Sequence, residues 1–247
     1  MFPVYRTSEG TENMEHNYST FEACKKIFKN NGIVLIFSEG RCINEWHLRP
    51  LKKGTARLAI SAWKDGIDLT VLPVGINYQS FQSFGKNIHL LTGKSIGKKD
   101  IDHHNGFGKS VQSFNQLLQN ELQPLVYEVD PANREKLGQI FEVKLPVVLK
   151  IILALPALLG WLLHSPLYYP VKFITAKTSR HNDHYDSILV GILFLAYPIY
   201  LVLIAVITRQ TTLSHLWGMV FLILPFCAWS CLQLKSQFST HERESST

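Results

Sequence analysis

From Ser187 to Ile207 the chain reads SILVGILFLAYPIYLVLIAVI, 21 residues without a charge. At about 1.5 Å of rise per helical residue, this matches the roughly 30 Å hydrocarbon thickness of a bilayer. A second uncharged run, Gln210–Leu234, adds 25 residues, with Trp217 and Trp229 toward its ends. Few soluble cores could cover two such cylinders, so the pair reads as a transmembrane hairpin. Arg209 is the only charge in its turn, whereas Lys172, Lys177 and Arg180 precede it and Lys235 and Arg243 follow. The positive-inside bias therefore puts both outer ends in the cytoplasm.

A third uncharged run, Ile151–Val171, also has 21 residues but is interrupted by Pro156, Pro166 and Pro170. Proline inside a helix removes a hydrogen bond and crowds the preceding turn. His164, Tyr168 and Tyr169 add interfacial character. The segment reads as re-entrant or surface-lying, with a true span as the alternative. Residues Met1–Arg6 lack the length and order of regions of a signal peptide, so insertion is expected from the C-terminal segments.

The rest of the chain meets water. Residues 1–145 hold 18 basic and 15 acidic side chains, against 7 and 4 in residues 146–247. The expected organisation is a folded domain over 1–145, a membrane-associated connector over 146–186, the hairpin over 187–235 and a polar tail over 236–247. A net charge of +6 suits anionic ligands and lipid surfaces without pointing to nucleic acid. Four cysteines with no CxxC pair make neither a disulfide framework nor a zinc site, and no metal is expected.

Within 1–145, apolar runs alternate with helical patterns. Phe2–Tyr5 reads as the end of a strand. Ser19 with Glu22 forms a capping box for a helix burying Phe21, Cys24, Ile27 and Phe28, with Lys25, Lys26 and Lys29 pointing away and Asn31-Gly32 ending it. Ile33–Phe37 is a continuous apolar run, the pattern of a buried parallel strand. A helix is expected over Leu51–Trp63, strands over Leu69–Val74 and Ile88–Leu91, and an amphipathic helix over Gly108–Leu122. The expected class is α/β, a largely parallel sheet flanked by helices, followed by a C-terminal helical transmembrane region.

Ligands of open α/β sheets collect at the carboxyl ends of strands, and three short stretches fall there. Arg6 follows the first strand, and a guanidinium suits a phosphate or carboxylate because it donates paired hydrogen bonds. Ser38-Glu39-Gly40-Arg41 follows the second: Glu39 can reach a ligand hydroxyl while Gly40 lets backbone approach closely. Pro73 lies at the end of the third. Downstream of Glu39, the basic run Arg49-Pro50-Leu51-Lys52-Lys53-Gly54 leads into a helix N-terminus, where anions are favoured.

In order, FPVYR, FSEGR, RPLKKGTARLA and LPVGINY resemble the glycerolipid acyltransferases, the family of glycerol-3-phosphate and 1-acylglycerol-3-phosphate acyltransferases, over about residues 1–95. The resemblance implies a membrane-bound O-acyltransferase of phospholipid biosynthesis. It would transfer a fatty acyl group from acyl-CoA or acyl carrier protein to a phosphorylated glycerol or lysolipid acceptor, with the catalytic domain on the cytoplasmic side and no cofactor. It implies that Arg6 binds the acceptor phosphate, that Phe37-Ser38-Glu39-Gly40 stands for Phe-Pro-Glu-Gly with serine in place of proline, and that Leu72-Pro73-Val74 lines the acyl site. Substrate binding is thus expected of Arg6, Glu39, Gly40, Arg41, Lys52, Lys53 and Pro73.

The family's His-x-x-x-x-Asp pair, the base and its orienting carboxylate, has no counterpart ahead of Arg6, so no catalytic residue is assigned. The expectation is that this pair belongs to sequence preceding Met1, and that the 247-residue chain alone does not turn over. One such string occurs at His181–Asp186, directly before an apolar run, where it reads as a polar helix start. The alternative is a catalytically inactive, membrane-anchored lipid-binding protein. A transporter is disfavoured because the hairpin interior carries no Asp, Glu, Lys or Arg.

Overall fold

A computed structural model describes residues 16–41, 43–101, 106–130, 132–180, 183–212 and 214–244. The described residues are mostly helical, with one small sheet. The elements are α1 (His16–Lys29), α2 (Gly54–Lys64), β1 (Val74–Tyr78), β2 (Ile88–Thr92), α3 (Phe107–Leu122), α4 (Arg134–Ile140), α5 (Val147–Thr178), α6 (Tyr185–Arg209) and α7 (Val220–Glu244). They divide into two compact units, residues 1–42, 46–77 and 90–128 in the first and 43–45, 78–89 and 129–247 in the second.

The first unit is built on α2 and α3. The sequence of α2, GTARLAISAWK, sets small residues beside large ones, so that Ala56, Ala59, Ile60, Ala62 and Trp63 are all buried. Trp63 meets Phe114 of α3 with ring centroids 5.8 Å apart. Its indole N–H donates to the Leu69 carbonyl at 2.8 Å, so the buried ring keeps its polar atom satisfied. Asn77, 3 % exposed, accepts from the Tyr127 N–H through Oδ1 and donates through Nδ2 to the Leu125 carbonyl, both at 2.8 Å. One amide thereby ties β1 to the segment following α3.

Several expectations are corrected here. The only sheet among the described residues is the antiparallel hairpin β1–β2, extended by a bridge between Val71 and Ile96, and no largely parallel sheet is present among them. Leu69–Val74 makes only that bridge, and the strand begins at Val74. Ile33–Phe37 forms no ladder and is open to solvent, Ile33 at 94 % and Phe37 at 69 %. An apolar run becomes a buried strand only beside a pairing edge, and none of the described strands lies alongside it. Phe2–Tyr5 lies outside the described residues.

In α1, Ser19 falls inside the helix instead of capping it. Lys25 is buried rather than exposed because Glu22 (2.9 Å) and Asp65 (2.8 Å) both pair with its ammonium. Burial pulls the Lys25 pKa down, but the bonds to these two carboxylates outweigh it and raise the pKa above the ordinary value. The helix expected over Leu51–Trp63 starts three residues later, at Gly54. The strand at Ile88 and the helix ending at Leu122 form as expected.

The second unit contains three helices long and apolar enough to cross a membrane: α5, α6 and the stretch Ser214–Lys235. Their outward faces are strongly apolar, with Phe194, Ile199 and Leu222 each more than 70 % exposed. Toward one another they bury complementary residues. Val171 of α5 packs with Tyr185 and Leu189 of α6, and Ala205 of α6 packs with Val220 and Leu224 of α7. Gly160 of α5 abuts α7 so closely that a Cβ there would fall 2.1 Å from the Cys227 carbonyl oxygen. Small residues at such crossings let helices pack in a lipid environment, where apolar burial alone gives little drive.

Candidate active site

The residues of the second motif fold back on the approach to α2. Gly40 has φ +68°, a conformation that costs side-chain-bearing residues, and its Cα faces the Lys52 side chain at a distance where a Cβ would be 3.0 Å from Cγ. The turn is closed by the Gly40 N–H on the Phe37 carbonyl at 3.1 Å. Three further bonds fasten it to the chain leading into α2. Arg49 N–H donates to Glu39 Oε1 at 2.9 Å, Lys52 N–H donates to the Ser38 carbonyl at 2.8 Å, and the hydroxyls of Ser38 and Thr55 share a bond at 2.9 Å.

Glu39 and Gly40 are thus brought beside Lys52 and Lys53, next to the first turn of α2, where unpaired backbone N–H groups and the positive end of the helix dipole favour an anion. No side chain caps this turn: Lys53 occupies the N-cap position without a side-chain bond. The serine that replaces the expected proline does its own fastening through the Thr55 hydroxyl. The arrangement can hold an anionic group with lysine and backbone donors while a carboxylate stands beside it.

Arg41 directly follows this turn and is exposed. Pro73 is buried where its carbonyl accepts from the Gly93 N–H at 3.0 Å. Arg6 and His181 lie outside the described residues. Asp186, the last residue of the His181–Asp186 string, is ion-paired with Lys86 at the start of α6. None of the candidate residues among those described lines the hollow of about 430 Å³ formed by Thr70, Lys94, Ser95, Gly97, Lys99 and Asp100.

Sequence reasoning missed one pair. His47 Nδ1 lies 2.6 Å from Glu128 Oε2, and Glu128 Oε1 accepts the Leu48 N–H at 3.1 Å. Burial alone would raise the Glu128 pKa, but the bonds from His47 and Leu48 outweigh it and hold the carboxyl below its ordinary range. The partners stand 81 residues apart, and no local pattern announces such a contact. The pair anchors the segment that carries Arg49, and through Arg49 it steadies Glu39.

Residues 1–77 match the family model described as Acyltransferase, in agreement with the motif resemblance to the glycerolipid acyltransferases. No curated protein and no solved structure matches the chain.

Proposed function

We propose, taking the acyltransferase match over residues 1–77 as the premise, that this protein is a membrane-bound O-acyltransferase of phospholipid synthesis. The acceptor is glycerol-3-phosphate or its 1-acyl derivative, and the donor is an acyl thioester. The observation that carries the reading is the matched segment's own Ser38-Glu39-Gly40 turn, fastened beside Lys52 and Lys53 at the head of α2. Three helices able to span a bilayer support a lipidic product.

In the reaction, the acceptor hydroxyl oxygen attacks the thioester carbonyl, a C–O bond forms, and the C–S bond breaks to release a thiolate. The hydroxyl proton goes to a base, a task suited to histidine near neutral pH. In this reading that base is the histidine of a His-x-x-x-x-Asp motif, as the family resemblance implies. Arg6 and the lysines hold the acceptor phosphate. Glu39 orients a glycerol hydroxyl, and Pro73 with its neighbours borders the acyl chain.

The test is acyl transfer in phospholipid vesicles by the full-length gene product, using labelled acyl-CoA and acyl carrier protein against a panel of acceptors. Formation of lysophosphatidate or phosphatidate is expected. Saturable acceptor binding without any turnover would replace this reading with the lipid-binding alternative.

A further inference from the structure

At 32 residues, α5 would be about 48 Å long if straight, against the roughly 30 Å of a bilayer core. Its contacts fix its course. After Gly160 it runs antiparallel to α6: the Tyr200 hydroxyl donates to the Leu163 carbonyl, His164 Nε2 lies 3.3 Å from the Tyr197 hydroxyl, and Val171 packs on Tyr185 and Leu189. Because α6 in turn runs antiparallel to α7, this arm of α5 runs parallel to α7, with Gly160 at the level of Cys227.

A straight helix would carry Leu145 about 22 Å from Gly160 toward the start of α7. Leu145 and Val143 instead border a hollow of about 180 Å³ together with Trp229, Leu232 and Gln233, which lie beyond Cys227 in the opposite direction. The loop at the same hollow repeats the point. Gly85 lies against Leu232, Lys86 pairs with Asp186 at the start of α6, and Asn87 Nδ2 donates to the Phe141 carbonyl at 2.9 Å. The entry to α5 and its exit are therefore at one end of the bundle. The reversal falls between Val147 and Gly160, where Pro156 is the single residue unable to donate an intrahelical bond.

Charge adds a separate argument. Lys144, Lys172, Lys177, Arg180 and Lys235 flank this end, while Arg209 is alone at the other. A straight α5 would separate Lys144 from the rest of this group and blur that asymmetry. Around the bend, Ile151, Leu155 and Leu158 are each more than 60 % exposed, an apolar tip that none of the described residues covers.

We propose that α5 is a re-entrant element: it enters and leaves the bilayer on one face, and the apolar tip around Pro156 contacts the acyl chains of the leaflet on the lysine-rich side. Only α6 and α7 cross. The chain before Val147 and the chain after Thr178 then share one side of the membrane, and the α6–α7 turn at Arg209 lies on the other.

The test is side-specific labelling of the full chain in sealed vesicles. In a background with Cys24, Cys42, Cys227 and Cys231 changed to serine, single variants Lys144→Cys, Lys177→Cys and Arg209→Cys are exposed to a membrane-impermeant maleimide, with detergent-opened vesicles giving total reactivity. The expected result is Lys144→Cys and Lys177→Cys labelled from the same side and Arg209→Cys from the opposite side. Labelling of Lys144→Cys together with Arg209→Cys, and opposite to Lys177→Cys, would overturn the proposal. Mass spectrometry of the unaltered chain treated with an impermeant amine reagent gives the same comparison for Lys144 and Lys177 without substitution. Modification from one side is expected, and modification from opposite sides refutes the re-entrant course.

Discussion

Replacing Glu39 separates two roles that the structure joins in one carboxylate. Its Oε1 accepts the Arg49 N–H at 2.9 Å, holding the 38–40 turn to the approach of α2. A hydrogen bond to an ionised acceptor contributes about 1.5–3 kcal/mol, and partial solvent access here favours the lower end, about 1.5 kcal/mol. Glu39→Ala removes it, so the Arg49 amide should open about tenfold more often. Glu39→Gln keeps a carbonyl acceptor and should lose less than about 1 kcal/mol. Hydrogen exchange followed by mass spectrometry over residues 46–52, in detergent micelles, reads both. Turnover should divide the variants differently. If the carboxylate engages the acceptor in the transition state, Glu39→Gln keeps the loop yet lowers kcat/KM at least about tenfold, as does Glu39→Ala. Full activity in Glu39→Gln with intact Arg49 protection would reduce Glu39 to a loop fastener. Unchanged exchange in Glu39→Ala would refute the fastening itself.

Other outcomes follow from the packing. Asn77→Ala deletes two buried bonds at 2.8 Å and should cost about 2–4 kcal/mol, seen as a lower denaturation midpoint of the full chain. Asp186→Asn removes the counter-charge of Lys86, whose side chain is 12 % exposed and whose pKa burial presses down to about 8. A loss of about 1–3 kcal/mol is expected in detergent, largely recovered by adding Lys86→Met. The Glu128 carboxyl is held below its ordinary value by His47 and Leu48, so its contribution is complete above about pH 4.5 and fades as pH falls through the lowered folded-state value. Glu128→Gln should therefore flatten the acid limb of thermal melts.

What could be read in advance followed from local chemistry. Helices long and apolar enough to cross a membrane cover 187–207 and 214–234 because uncharged length is a property of the sequence itself, and α6 covers all of the first run. The amphipathic helix to Leu122 forms because Val111, Phe114, Leu118 and Leu122 recur on one face. Ile33–Phe37 was misread because continuity of apolar residues carries no information about a pairing edge. Lys25 was misread because a lysine's burial depends on a carboxylate 40 residues away, Asp65. At the candidate site, Glu39 and Gly40 were legible as a motif. The bonds that fasten them to Arg49, Lys52 and Thr55 were not, since they depend on how two segments fold together. The course of α5 was half legible: the prolines signalled an interruption, but the direction of the returning arm came only from its contacts with α6 and α7.

The central claim is that Arg6 and the Glu39–Lys53 segment hold a phosphorylated acceptor beside the bilayer. The most direct measurement is equilibrium binding of glycerol-3-phosphate and lysophosphatidate to the vesicle-reconstituted chain and to its Arg6→Ala variant. The account predicts saturable binding of at least one of the two by the native chain, weakened about tenfold or more by the substitution, with the fold unchanged by circular dichroism. Equal affinity in the two proteins, or no saturable binding of either ligand by the native chain, would contradict it.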